Sequence, residues 1–451
     1  MSTLSGKNYP AWAAYLALAL CLTAWPAAAG TDQARIAERE VLSNGLVLLH
    51  SEKRVLPIVK ISMGIYAGQT EETAELAGLS SLTAALIKEG TVSRTADEIN
   101  ESIEFVGGGL SAGGGGEYTT ISLSVLSKDL ELGFELMSDI LMNPTFPEEE
   151  IARKRAQFKS SIARQKEDPG SIAEKAFNQE LYGNHPFAWP PEGTEESLDR
   201  ITRAEIVEFH GKFYRPNRSW MAVVGDVSRD EVVALVDRFM KDWEPGEPAR
   251  DLSVPLGFPD SRKVIPIDKK ITQANIVLGH PGVHRSHPDY YAVMVMNYIL
   301  GGGGFASRLM DSVRDDMGLV YDIRSSFDPH KTIGAFKIVF QTKNESASTA
   351  MNQVLHEMER IRSEKVTAQE LADAKAYITG SLPLRMDSNG KVAGLLASVE
   401  YFGLGMNYLE DYLEAVQGIT EDDVLRVARE YLDPDHFILV AVGDQDTITL
   451  E

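Results

Sequence analysis

The sequence predicts an α+β fold built from two homologous halves, and three observations predict it. One composite pattern of cap, helix and strand occurs twice, with the same order and spacing. A stretch rich in chain breakers separates the two copies. Within each half, strand-like runs alternate with long helical stretches, the arrangement of sheets covered by helices.

The first copy begins at Thr202-x-x-Glu205, continues through an amphipathic helix, Tyr214 and Pro216, and ends at Met221-Ala222-Val223-Val224-Gly225-Asp226. The second begins at Thr420-x-x-Asp423, passes Tyr431 and Pro434, and ends at Leu439-Val440-Ala441-Val442-Gly443-Asp444. Proline and glycine are nine residues apart in both. A Thr-x-x-acid box satisfies the orphan donors of a helix start, more weakly with the shorter aspartate. The continuous apolar runs that follow read as buried strands stopped by Gly-Asp. Between the copies, the breakers from Glu244-Pro245-Gly246-Glu247-Pro248 through Pro255, Gly257 and Pro259 read as a linker. The predicted halves are residues 36–245 and 260–451, with a linker at 246–259.

Further strands are predicted at 58–65, 119–126 and 274–279. Helices are predicted at 148–165, stopping before Asp168-Pro169, from the Thr367-x-x-Glu370 cap onward, and at 305–316.

Residues 1–29 read as a secretory signal: one charged side chain (Lys7), the apolar run AWAAYLALALCLTAW, then a small-residue cleavage site ending at Ala29. The run is short of the roughly 20 residues needed to span a bilayer. Export to the periplasm or beyond is therefore expected, without stable membrane insertion once the signal is cut. Cys21, the only cysteine, lies in that segment, so the mature chain is indifferent to an oxidising compartment. With 43% apolar residues the remainder can bury large cores. A formal charge of −22 argues against nucleic acid and anionic membranes as partners.

Residues 78–91, GLSSLTAALIKEGT, carry the outline of a metal-binding helix without its ligands. An H-x-x-E-H motif places two histidines and a glutamate at i, i+3 and i+4 on one helix face. Here that face is Ser81, Ala84 and Ala85, none of which ligates zinc. The triplet His280, His284 and His287 follows a strand and straddles Pro281 and Gly282, so it does not read as a metal site either. Gly301-Gly302-Gly303-Gly304 is not followed by Gly-Lys-Ser/Thr, and so does not read as a phosphate loop.

Set in order, these segments resemble the pitrilysin and mitochondrial-processing-peptidase family of inverted-motif zinc proteases. The resemblance rests on Asn44-Gly45-Leu46, Ala67-Gly68 with Glu71-Glu72, Ala77-Gly78-Leu79, Gly90-Thr91, Tyr182-Gly183-Asn184-His185-Pro186 and Phe213-Tyr214-x-Pro216-Asn217 in the first half. In the second half it rests on Gly279-His280-Pro281-Gly282, Ile299-Leu300-Gly301-Gly302-Gly303 and Arg314-x-x-x-Gly318-Leu319-x-Tyr321. It implies two halves, each a mainly antiparallel sheet covered by helices, facing each other as a clam-like cavity for an extended peptide. In such enzymes the motif glutamate is the general base on a zinc-bound water, and a later helix supplies a further glutamate ligand. This chain departs from that pattern at Ser81, Ala84 and Ala85, and residues 151–166 contain no Asp or Glu.

The resemblance carries over Arg314 and Tyr321, seven residues apart, as substrate-binding residues that donate to a peptide carbonyl. No catalytic or metal residue is expected in this chain. The expectation is a non-catalytic, substrate-binding subunit of a hetero-oligomeric zinc metalloprotease acting on peptides or unfolded segments. A related H-x-x-E-H chain would be its partner and would hold the zinc. The alternative is a peptidase-like scaffold or peptide-binding protein without a proteolytic role. A hydrolase rebuilt around Ser81 would need a histidine base that the sequence does not place nearby.

Overall fold

The computed structural model describes residues 36–114, 116–250 and 256–450. The expected signal segment lies outside these residues, as do residues 251–255 of the expected linker. The start of that linker is pinned to the first half: Asn217 Nδ2 donates to Gly246 O at 2.7 Å, and Gly246 N returns a bond to Asn217 Oδ1 at 2.8 Å. Among the described residues no helix is long and apolar enough to cross a membrane.

The first sheet contains β1 (Glu38–Val41), β2 (Val47–Glu52), β3 (Ile58–Ile65), β4 (Gly109–Gly113), β5 (Thr119–Leu126) and β6 (Ser219–Gly225), in the order β1-β2-β6-β3-β5-β4. The second contains β7 (Lys263–Asp268), β8 (Gln273–Pro281), β9 (Val320–Pro329), β10 (Gly334–Lys343) and β11 (Ile438–Gly443), in the order β7-β11-β8-β10-β9. Leaving out β1, the two orders are the same. Each sheet has one parallel pair, β2 with β6 and β7 with β11, at the same place in an otherwise antiparallel ladder. The duplicated sequence pattern is thus a duplicated topology.

Helices in the first half include α1 (Leu79–Leu86), α2 (Glu148–Gln165), α3 (Pro169–Tyr182) and α4 (Arg203–Phe213). Those of the second include α5 (Ala368–Gly380), α6 (Asn389–Phe402) and α7 (Glu421–Tyr431). The boxes at Thr202 and Thr420 open α4 and α7. The helix expected over 305–316 begins later. Gly304 has a positive φ of 56° and Ser307 is extended, so residues 304–306 form a separate 3₁₀ turn and the helical stretch starts at Arg308.

Each sheet is buried on both faces. One face packs on helices of its own half, in cores centred on Phe134 and Met221 in the first and on Phe336 and Leu300 in the second. The other face is covered by a helix from the opposite half. Ala173, Phe177 and Leu181 of α3 lie on Val277, Val440 and Val442 of the second sheet. Val392, Leu396 and Ala397 of α6 lie on Leu49, Trp220, Ala222 and Val224 of the first. This exchange explains why every residue of β6 and β11 is buried, and why both read as unbroken apolar runs rather than alternating ones.

Matching glycines make room for it. A Cβ on Gly64 of β3 would stand 2.1 Å from the Trp220 ring, and one on Gly279 of β8 would stand 2.7 Å from the Phe177 ring. A side chain at Gly64 would displace the Trp220 ring on which α6 packs, and one at Gly279 would meet both the Phe336 carbonyl of its own sheet and the Phe177 ring of α3.

Because each half completes the other's core, the halves are expected to unfold together. The tryptophans beyond residue 29 (Trp189, Trp220 and Trp243) all lie in the first half, whereas Phe336 is wholly buried in the second. Phe336→Ala should cost about 3–5 kcal/mol. It should also lower the urea midpoint seen by tryptophan fluorescence as much as that seen by circular dichroism. An unmoved tryptophan midpoint would mean that the halves fold separately.

Candidate functional site

Helix α1 starts without a side-chain cap from its own N-cap residue. Its first amides are instead held by Glu72, whose carboxylate accepts from Gly78 N at 2.9 Å and from Ser80 N at 2.6 Å. Burial pushes this carboxyl up to about 7, against the opposing pull of those donors.

The face at Ser81, Ala84 and Ala85 is closed by packing at Ser81 and Ala84, while Ala85 stays partly exposed. Ser81 Oγ donates to Pro191 O at 2.6 Å, and Ala84 has no exposed surface. The backbone at Gly114, just past the edge strand β4, seats directly on this face: a Cβ there would lie 3.0 Å from Ala84 Cβ and 3.2 Å from Ser81 Cα. The second element of the expected metal site, α2, does lie against α1. The α2 side chains that reach across to Glu89, just beyond α1, are cations: Lys154 Nζ at 2.7 Å and Arg153 Nη2 at 2.6 Å. Zinc needs thiolate, imidazole or carboxylate ligands and room for a tetrahedral shell. A closed face with ammonium and guanidinium groups alongside does not fit it. Among the described residues, no group of three or more His, Cys, Asp or Glu is placed to hold a metal ion. His280 is a satisfied core residue: it accepts from Asp433 N through Nε2, pairs through Nδ1 with Pro281 O, and burial pushes it down to about 4.

The two halves meet along a cleft of about 820 Å³ that reaches Ala77, just before α1. Gly116, Tyr182, Phe187, Trp189 and His330 are among its walls. A polar latch crosses the seam beside it. Glu117 accepts from Lys331 N at 3.0 Å and pairs with His330 Nδ1 at 3.2 Å. Burial raises the Glu117 carboxyl, but the hydrogen bond and charge of His330, with the Lys331 amide, outweigh that and hold it below the usual carboxylate range. Lys331 Nζ, from the second half, lies 4.8 Å from the Tyr66 ring of the first.

Arg314 and Tyr321 are brought together on the surface of the second half. Gly318 takes a positive φ of 64°, and the turn is closed by Gly318 N to Arg314 O at 2.9 Å and Leu319 N to Val313 O at 3.0 Å. That returns the chain so that Tyr321, near the start of edge strand β9, stands over Arg314, with the guanidinium carbon 5.9 Å from its ring centre. Arg314 Nη1 donates to Asp315 at 2.7 Å. Phe305, which the sequence did not single out, lies against the same guanidinium at 4.8 Å. Glu72, Glu117 and His330 were likewise not singled out as functional. Their partners lie across turns and across the seam, where spacing gives no signal.

A mixed fold with a duplicated sheet, an α1–α2 pair where such proteases hold zinc, and an arginine–tyrosine pair joined by a turn define a metalloprotease-like class of protein. Comparison with known proteins agrees. Residues 47–195 match the family profile described as insulinase (peptidase family M16), and residues 200–378 match the one described as peptidase M16 inactive domain. An uncharacterized zinc protease of Streptomyces coelicolor is 28% identical over 405 residues, 87% of each chain. Another, from Bacillus subtilis, is 25% identical over 88% of this chain and 96% of its own. The crystal structure of a peptidase M16 inactive domain from Pseudomonas fluorescens superposes with a TM-score of 0.86 and 29% identity, covering 92% of this chain and all of that one. A Helicobacter pylori protease, at 20% identity and TM-score 0.84 over 90% of this chain and 99% of its own, shares the fold. The chain belongs to the M16, pitrilysin-like peptidase family, and within it is an inactive homologue related to uncharacterized zinc proteases.

The Glu72 cap gives a pH signature. An acid whose folded pKa lies above its unfolded value keeps its proton in the folded state where the unfolded chain has lost it. Stability therefore falls as the pH rises from about 4.5 to about 7, and levels off above. Glu72→Gln removes this slope. The stability difference between wild type and variant should change by up to about 3 kcal/mol across that window in denaturant titrations. A difference independent of pH would show that Glu72 does not titrate there.

Proposed function

We propose that this chain is the non-catalytic, substrate-binding subunit of a hetero-oligomeric zinc metalloprotease that cleaves peptides or unfolded segments. In this reading a related H-x-x-E-H chain supplies the zinc and the general base. This chain supplies Arg314, Tyr321 and part of the cavity wall. After export through the signal at residues 1–29, the pair would work in the periplasm or outside the cell.

The observation that carries the reading is an asymmetry between two sites inherited from one family pattern. The metal-ligand face is emptied and packed shut at Ser81, Ala84 and Gly114. The donor pair is kept, joined by the Gly318 turn, and presented outward, with Tyr321 87% exposed. An exposed phenol and a partly exposed guanidinium can donate to a peptide carbonyl and to the charge that develops on it when it is attacked. A chain retained only as a scaffold has no use for that pair in an exposed position.

The test is proteolysis by this chain combined with its H-x-x-E-H partner. Arg314→Ala is expected to lower kcat/KM by roughly a hundredfold or more and Tyr321→Phe by about tenfold, since each removes a donor to the attacked carbonyl. Unchanged proteolysis by both variants would leave the scaffold reading in its place.

A further inference from the structure

Phe305 and Tyr321 are 73% and 87% exposed, and both lie against the same guanidinium. Single exposed apolar side chains are ordinary on a protein surface. Two aromatic rings held around a common cation are a built arrangement. Phe305 rides on the 3₁₀ turn Gly304–Ala306 at the end of the glycine run, where nothing lies within 4 Å of a Cβ built on Gly304. Tyr321 is carried by the edge strand β9. The result is two exposed rings that share one guanidinium, with side-chain-free backbone next to Phe305.

The surrounding charge narrows what can sit there. Asp311, Asp315, Asp316 and Asp322 are exposed on the same segment and disfavour an acidic side chain. Arg314, lying against both rings, disfavours a basic one. Of the uncharged side chains an apolar one gains most, because it would take exposed ring surface out of water.

We propose that Phe305 and Tyr321 form a subsite for an apolar side chain of an extended peptide whose carbonyl is held by Arg314. Phe305 is thereby a specificity-determining residue. This rests on the substrate-binding reading of Arg314 and Tyr321 given above. Phe305 is exposed, so its replacement leaves the core intact.

The test uses the full chain and two fluorescein-labelled unstructured peptides, identical except for one central residue, leucine or serine, followed by fluorescence anisotropy. The chain should bind the leucine peptide about tenfold more tightly. Phe305→Ala should bring the two affinities within about twofold of each other, and Phe305→Leu should keep most of the preference. Arg314→Ala should weaken both peptides alike. If Arg314→Ala does so while the wild type shows no preference, or Phe305→Ala keeps it, the subsite is wrong and the reading of Arg314 stands. If neither peptide binds, or Arg314→Ala has no effect on binding, that reading falls and the subsite falls with it.

Discussion

The structure depends on the reciprocal exchange of α3 and α6. Each half builds a sheet whose inner face it covers itself, and whose outer face it leaves to a helix of the other half. An uncovered outer face would expose Trp220, Ala222 and Val224 in one half and Val277, Val440 and Val442 in the other. Each valine among them is worth about 1.5–3 kcal/mol when buried. A domain's net stability is only about 5–15 kcal/mol, so neither half can spare this layer. The exchange also fixes the seam along which Glu117, His330 and Lys331 meet, and the cleft beside it.

That rigid frame bears on the two inherited sites in opposite ways. The α1 face lies inside it. With serine and alanine at Ser81 and Ala84, the backbone at Gly114 and the Pro191 carbonyl seat against it, and these side chains offer a metal no ligand. Arg314 lies near the end of the helical stretch that starts at Arg308 and Tyr321 on the edge strand β9, both at the surface of the second half. These two residues are held by a turn and by ring contacts rather than by burial, so they are free to meet another molecule. The division between a closed site and an open one is the physical basis for reading the chain as one part of a two-chain protease.

Much of this was legible in the sequence. The strands at 58–65 and 119–126, the helix at 148–165 and the caps at Thr202, Thr367 and Thr420 sit where spacing and box residues placed them. The duplication was legible because Pro-to-Gly spacing survives in both halves. The exchange was not. The stripe Ala173, Phe177, Leu181 at i, i+4 and i+8 shows that α3 has an apolar face, but not that the face covers the other half's sheet, because periodicity reports burial without naming the partner. The start of the helix after the glycine run was set too early, since a positive φ at Gly304 and an extended Ser307 interrupt a stretch whose composition reads as helical. Phe305 escaped notice because an isolated phenylalanine in sequence looks like core; only its exposure and its distance from Arg314 give it another role.

The central claim is that this chain works through a zinc-bearing relative and binds no catalytic zinc itself. The most direct measurement is purification of the native protein under mild conditions, with mass spectrometry of whatever accompanies it and zinc quantified on each separated chain. The account predicts a co-purifying H-x-x-E-H relative carrying zinc in proportion to its own amount, and none on this chain. Stoichiometric zinc on this chain, or a pure single-chain protein with full peptidase activity, would contradict it.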